Sequence, residues 1–128
     1  MAKETNLTGD DGYWLGTDFS YAYHIKNEAE DTSIDITGYA LSWMVKRNAS
    51  DADADALVTY TTASGITIAG TFNATPASNT QRATVAVVDT DTHNLPPGLY
   101  RYELKRTDAG AETILAFGPI QCKQGVHR

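Results

Sequence analysis

The chain has 128 residues, of which 41% are hydrophobic and 20% charged. This composition is typical of one globular domain and unlike that of a disordered chain. The net charge of -6 argues against a nucleic-acid backbone as partner, and no apolar run is long enough for a membrane helix. Cys122 is the only cysteine, so an intrachain disulfide is excluded and packing must hold the fold.

Residues 1–12 are polar and contain a turn-like cluster of glycine and aspartate at 9–12. They predict an extended N-terminal arm, followed by a single domain over residues 13–124 and a short tail, 125–128. No apolar region of the kind found in signal peptides follows Lys3, which predicts a protein made and kept in a cytoplasm. The domain opens on an apolar patch of Tyr13, Trp14 and Leu15.

Period-two alternation of apolar and polar residues then marks one strand after another. The predicted strands are residues 18–25, 39–47, 57–62, 65–69, 81–88, 98–107 and 113–123. Between them, residues 89–94 predict one helical turn at most. About seven short strands without an amphipathic helix of ordinary length predict an all-β sandwich or barrel.

The segment 95–104 favours the sandwich. Two prolines and Gly98 end one element, and the run that follows turns Tyr100 and Tyr102 to one face and Arg101 and Glu103 to the other. A tyrosine at the start of such a strand is typical of the tyrosine corner of immunoglobulin-like domains. The predicted fold is therefore an immunoglobulin-like antiparallel β-sandwich, with Trp43 as the natural core anchor.

Candidate metal and catalytic sites are weak. Asp51, Asp53 and Asp55 resemble the start of a calcium loop, but the sixth and twelfth positions hold Ala56 and Thr62 instead of glycine and glutamate. A solvated acidic loop is the simpler interpretation, although a loose surface calcium site stays open. The three histidines, His24, His93 and His127, lack zinc-site spacing. No arrangement typical of a catalytic nucleophile or acid–base pair occurs, so the sequence predicts no enzyme, no cofactor and no metal.

Aromatic residues offer one alternative function. Tyr13, Trp14 and Tyr60 are candidates for an exposed platform on which a sugar ring could stack. The alternative is therefore a carbohydrate-binding module for glycans of a host surface.

Four segments of the chain resemble the N-terminal domain family of phage baseplate upper proteins and related small immunoglobulin-like phage structural proteins. The similar motifs are Asp18 with Phe19, residues 34–41 ending in 45–47, residues 95–104, and the closing strand 114–120. Together they cover most of residues 17–122, and their order and spacing carry the resemblance.

This resemblance implies a non-catalytic structural protein of a phage virion, assembled in the cytoplasm of the bacterial host. It would dock on other virion proteins of the capsid, tail or fibres, as a capsid decoration or as a head–tail or baseplate adaptor, in many copies within a symmetric assembly. Sheet edges, the N-terminal arm and the apolar residues Tyr13, Trp14 and Leu15 are the predicted contacts. An extended arm can add a strand to a neighbour's sheet through backbone bonds.

Overall fold

A computed structural model describes residues 3–4, 6–8, 12–48 and 50–124 of the chain, so the predicted tail at 125–128 lies outside the described residues. Nine β-strands occur in this part of the chain. They are β1 (Lys3–Glu4), β2 (Tyr13–Trp14), β3 (Phe19–Tyr23), β4 (Leu41–Lys46), β5 (Val58–Thr61), β6 (Ile66–Ala69), β7 (Arg82–Val87), β8 (Gly98–Arg106) and β9 (Thr113–Lys123). The seven strands from β3 to β9 correspond to the seven predicted ones, with ends shifted by two residues at most.

The strands form two sheets that pack face to face. The large sheet has the order β1-β9-β8-β4-β5, with β2 also paired to β9, and the small sheet has the order β3-β7-β6. All pairs are antiparallel except those of β1 and β2 with β9, which are parallel. The prediction of an all-β, immunoglobulin-like sandwich is confirmed.

Aromatic rings fill the space between the sheets. Trp43 on β4 is buried, and its ring centroid lies 6.1 Å from the centroids of Tyr21, Tyr60 and Tyr102. Its indole Nε1 donates a hydrogen bond of 2.9 Å to the Tyr23 hydroxyl, so the polar edge of the ring is satisfied inside the core. Trp43 is the core anchor that the alternation predicted.

The predicted tyrosine corner is present at the start of β8. The Tyr100 hydroxyl donates a hydrogen bond of 2.5 Å to the carbonyl oxygen of Pro96, four residues upstream. In antibody domains, the second cysteine of the inter-sheet disulfide follows this tyrosine by two residues. Here that position holds Tyr102, whose ring packs on Trp43.

The predicted N-terminal arm lies against its own domain wherever the structure describes it. β1 pairs with β9, the Leu7 amide donates to the Pro119 carbonyl oxygen at 2.9 Å, and the Gln121 amide donates to the Leu7 carbonyl oxygen at 2.8 Å. The Leu7 side chain is buried in the core. The expectation of an arm available to a neighbouring sheet is thus wrong for these residues, because the outer edge of the long strand β9 already takes up their backbone groups; residues 1–2, 5 and 9–11 lie outside the described part.

Helices contribute little to the described chain. One α-helix, α1 (Asp89–Thr92), confirms the predicted single turn, and three-residue 3-10 helices lie at Asp53–Asp55 and Pro76–Ser78. Among the described residues, no helix has the length and apolar character needed to cross a membrane.

Candidate interaction surfaces

The three predicted contact residues do not share a surface. Because β2 pairs with β9, alternate residues point in opposite directions: Tyr13 and Leu15 are 2% and 1% exposed, whereas Trp14 is 49% exposed. The Tyr13 hydroxyl donates to the Thr17 carbonyl oxygen and lies 2.7 Å from Thr92 Oγ1. Tyr13 and Leu15 are core residues. The prediction that their side chains contact a partner is therefore wrong.

Trp14 lies on the solvent side of the large sheet. The Nζ atom of Lys123 sits 4.5 Å from the centroid of the indole ring, within the range of a cation–π interaction. Leu99, near this end of the same sheet, is 65% exposed. Of the three predicted contact residues, Trp14 alone exposes its side chain to solvent.

The predicted aromatic platform for a sugar is not assembled. Tyr60 is buried on β5, where it stacks on Trp43. Its hydroxyl donates to Asp91 Oδ2 at 2.7 Å and accepts the Val88 amide hydrogen at 3.2 Å. Burial raises the pKa of the Tyr60 hydroxyl above its ordinary value. With Tyr13 also buried, a single exposed ring remains of the three.

The outer face of the large sheet carries an open, largely apolar cleft of about 390 Å³. Strand register aligns its side chains in two adjacent rows across the sheet. From β4 across β8 to β9, these rows are Lys46, Arg101 and Pro119, and then Met44, Glu103 and Phe117. All of them except Pro119, which is placed in its row by register alone, line the cleft. Ile114 also lines the cleft and is 39% exposed. Apolar side chains on the water-facing side of a sheet make this cleft a candidate contact surface.

Some of the charged side chains around this cleft have an ion-pair partner among the described residues and others do not. Lys46 Nζ lies 2.7 Å from Asp53 Oδ1, and this hydrogen bond holds the pKa of the Asp53 carboxyl below its ordinary value. Arg101 and Glu103 lie two residues apart on β8, on the same face. Neither makes an ion pair with another described residue. Of the charged side chains that line the cleft, Arg101 and Glu103 are therefore the cation and the anion that no described residue neutralises.

A second surface is the outer edge of β3 in the small sheet. The Ala86 amide donates to the Gly65 carbonyl oxygen on the β6 side of β7. In an antiparallel ladder, the backbone groups of successive residues point to opposite sides, so Val85 and Val87 bond to β3. Ser20, the partner of Ala86, therefore directs its N–H and C=O away from β7.

Ala22 has the same orientation as Ser20, since it follows two residues later on β3. No described strand pairs with this side of β3. Phe19, at the start of the strand, is 51% exposed, and its ring packs edge-on against Tyr21 at a centroid distance of 4.9 Å. The edge thus combines free backbone groups with an exposed aromatic ring.

The acidic loop predicted as a weak calcium site is partly neutralised. Asp53 pairs with Lys46, and Asp51 Oδ2 accepts the Asn48 amide hydrogen at 3.1 Å. The described residues contain no group of three histidine, cysteine or acidic side chains placed to hold a metal ion. His24 lies 2.8 Å from Ser33 Oγ, and His127 falls outside the described part of the chain.

Alternation in the sequence correctly predicted that Leu99, Arg101 and Glu103 lie on one face of their strand. It did not predict which residues of β4 and β9 lie beside them. That information resides in the register between strands distant in sequence. The sequence of β3 is uncharged and begins with Phe19. This feature points to an unprotected edge only in combination with the strand order, which places β3 at the end of the small sheet. Comparison with protein-family models and with curated proteins found no match to this chain.

Proposed function

We propose that the protein is a structural component of a phage virion, a non-catalytic immunoglobulin-like module that docks on other virion proteins. The motifs that resemble baseplate upper protein N-terminal domains support this proposal, and so does the sandwich fold that those motifs led us to expect. The roles it covers are capsid decoration and adaptor at the head–tail junction, tail or baseplate.

The observation that carries the docking role is the unprotected edge of β3. Natural sheets blunt their edges with charged residues, proline, bulges or very short strands, because free backbone groups recruit other chains. β3 has five residues, Phe19–Tyr23, and contains neither a charge nor a proline. An edge left open in this way fits a partner strand better than it fits permanent exposure to water.

The partner is an extended, uncharged segment of another virion protein. It would add a fourth strand to the small sheet by bonding to the outward N–H and C=O groups of Ser20 and Ala22. An apolar side chain of that segment would cover the exposed ring of Phe19. In a symmetric particle, many copies of such a contact are held together by avidity, so each contact can be weak.

Mass spectrometry of purified virions of the source phage tests the proposal directly. We expect the protein in the particle, at a copy number that distinguishes decoration of the whole capsid from a ring at the neck or baseplate. Absence of the protein from purified particles would overturn the virion assignment.

Substitution of Ala22 tests the edge. Ala22→Pro removes an N–H that points away from the sheet, which a folded edge strand tolerates. We expect a folded protein that no longer enters particles, whereas the matched variant Ala22→Ser keeps the N–H and enters them normally. Equal incorporation of both variants would exclude docking through this edge.

A second pair of variants guards against loss of fold in Ala22→Pro. Ala22→Lys places a charge on the free edge, whereas Ala86→Lys places the same charge on the central strand β7, directly opposite Ser20. Both positions are exposed. Docking through the edge predicts that Ala22→Lys reduces incorporation and Ala86→Lys does not; equal effects would contradict it.

The carbohydrate-binding alternative is left with Trp14 as its platform, because Tyr13 and Tyr60 are buried. A single ring already engaged by Lys123 favours protein docking over sugar stacking. Glycan-array binding that is lost in folded Trp14→Ala would support the alternative instead.

A further inference from the structure

The outer face of the large sheet has a pattern of charges that is complementary to itself. Arg101 and Glu103 stand side by side at the centre of the apolar cleft, one residue in each of two adjacent rows. Lys46, which lies beside Arg101, forms an ion pair with Asp53. Among the described residues Arg101 and Glu103 make no ion pair, and they lie two residues apart on the same face of β8.

Consider a twofold axis that runs across the strands and lies between these two rows. It brings opposite charges of two copies together. When a second copy faces the first about such an axis, the row order is reversed while each strand stays opposite its own copy. Arg101 of one copy then lies opposite Glu103 of the other, and the reverse pair forms at the same time. This reciprocal relation of two residues is the property of an isologous contact.

The apolar residues agree with the same arrangement. The axis places Pro119 of one copy over Phe117 of the other. An axis parallel to the strands would instead bring Arg101 against Arg101 and Glu103 against Glu103. Like charges brought together in an interface weaken association strongly, so the first axis is selected.

We propose that the occupant of the cleft is a second copy of this chain, bound face to face about a twofold axis with Arg101 of each copy paired to Glu103 of the other. This proposal is independent of the docking role of β3, because β3 belongs to the small sheet on the opposite side of the sandwich. Both surfaces can be occupied at once in a particle.

Sedimentation equilibrium of the purified full chain is the first test. We expect a mass of twice the 13.9 kDa of one chain. A monomer at all concentrations up to about 1 mM would overturn the proposal, since a specific dimer should form well below that concentration.

Charge reversal is the second and sharper test. Arg101→Glu and Glu103→Arg each place like charges opposite one another, so each variant alone should dimerise at least about tenfold more weakly than the original chain. Mixing the two variants should restore a dimer, because one copy then presents two anions and the other two cations. The double variant Arg101→Glu with Glu103→Arg should also dimerise. Association of the single variants with unchanged affinity, or failure of the mixture to associate, would contradict the proposed contact.

Arg47→Glu provides the matched control, since it makes the same charge change at an exposed position that follows β4. It should leave the dissociation constant of the dimer unchanged within about twofold, as expected for a charge away from the contact. Circular dichroism should show the same strand content in every variant. Should a reversed variant lose its fold, Arg101→Gln and Glu103→Gln take its place, each with weaker dimerisation as the expected result and unchanged dimerisation as the contrary one.

Discussion

Tyr102 and Trp43 show how this sandwich is held together without an inter-sheet disulfide. Tyr102 occupies the position where antibody domains carry their second cysteine, and its ring packs on Trp43. The rings of three tyrosines pack on the indole ring, and a fourth, Tyr23, accepts its N–H. The aromatic cluster joins strands of both sheets, so it links the two layers as a disulfide would, by packing and one hydrogen bond.

Tyr23→Phe tests the polar part of this cluster. The substitution removes the acceptor for Trp43 Nε1 and leaves a buried donor unsatisfied, which costs about 1–3 kcal/mol. We expect the free energy of unfolding, measured in urea, to fall by the same amount. The dependence of this free energy on urea concentration should stay unchanged. The control is Tyr39→Phe: Arg106 stacks on the face of Tyr39 at 3.7 Å, and phenylalanine keeps that face. Equal effects of the two variants would show that the Trp43 bond contributes nothing specific.

Single residues could be predicted from the sequence where alternation within one strand decides their direction. Trp43 was correctly predicted as a core residue in this way, and Tyr102 was correctly placed on the face opposite Arg101 and Glu103. The prediction failed for Tyr13 and Leu15, because their burial depends on a two-residue parallel pairing with β9, which leaves no period in the sequence. It also failed for Tyr60, whose hydroxyl finds a partner in Asp91, far along the chain.

At the scale of elements, the observed position of the N-terminal segment differs from the predicted one. Its polar composition predicts an arm that extends from the domain, yet its described residues form the outermost part of the large sheet. Backbone pairing does not depend on side-chain hydrophobicity, which explains why a polar segment can complete a sheet. Leu7 is the one apolar residue of this segment that is buried in the described core.

Leu7→Ala measures how firmly the segment is attached. Loss of the buried side chain should lower the free energy of unfolding by about 2 kcal/mol, at the lower end for a buried leucine because the site lies at a sheet edge. Asn6→Ala, one residue earlier and exposed, should change it by less than about 0.5 kcal/mol. Equal unfolding midpoints for Leu7→Ala and the original chain would show that the segment does not contribute to the stability of the sheet.

The seven longer strands were predictable because each alternates over at least four residues and ends at a glycine, a proline or a polar loop. Their order in the sheets was not, since it depends on contacts between strands far apart in the chain. The candidate surfaces depend on it entirely: the cleft needs the neighbours of β8, and the free edge needs the position of β3.

At the scale of the whole molecule, the two proposed contact surfaces lie on different sheets. The large sheet presents an apolar face with self-complementary charges, and the small sheet presents a free edge. A face suits a copy of the same chain, whereas an edge suits an extended segment of a different one. The proposed dimer and the proposed contact with a virion protein could therefore form at the same time.

Carboxylates tie the loops at the ends of the sandwich, and they make the whole molecule sensitive to acid. Asp35 accepts hydrogen bonds from Thr37 and Gln81, and Asp108 accepts them from Arg106 and the Ala40 amide. These bonds hold the pKa of both carboxyls below the ordinary value of 3.8. A carboxyl whose pKa is lower in the folded state stabilises the fold fully above its unfolded pKa, and this contribution is lost as the pH falls through the folded value.

The urea midpoint of unfolding should therefore be constant from pH 7 to about pH 5 and fall steeply below about pH 4, where the unfolded chain binds protons that the folded chain does not. Asp108→Asn should lower the midpoint at pH 7, because it weakens the bond to Arg106, and should make the decline in acid shallower. Asp55→Asn, at an exposed position in the 3-10 helix Asp53–Asp55, should leave the midpoint at pH 7 unchanged. A midpoint that rises on acidification would contradict the lowered pKa values, since protonation would then favour the folded chain. Equal acid declines in Asp108→Asn and the original chain would instead assign the sensitivity to carboxylates other than the one that joins β8 to the residue preceding β4.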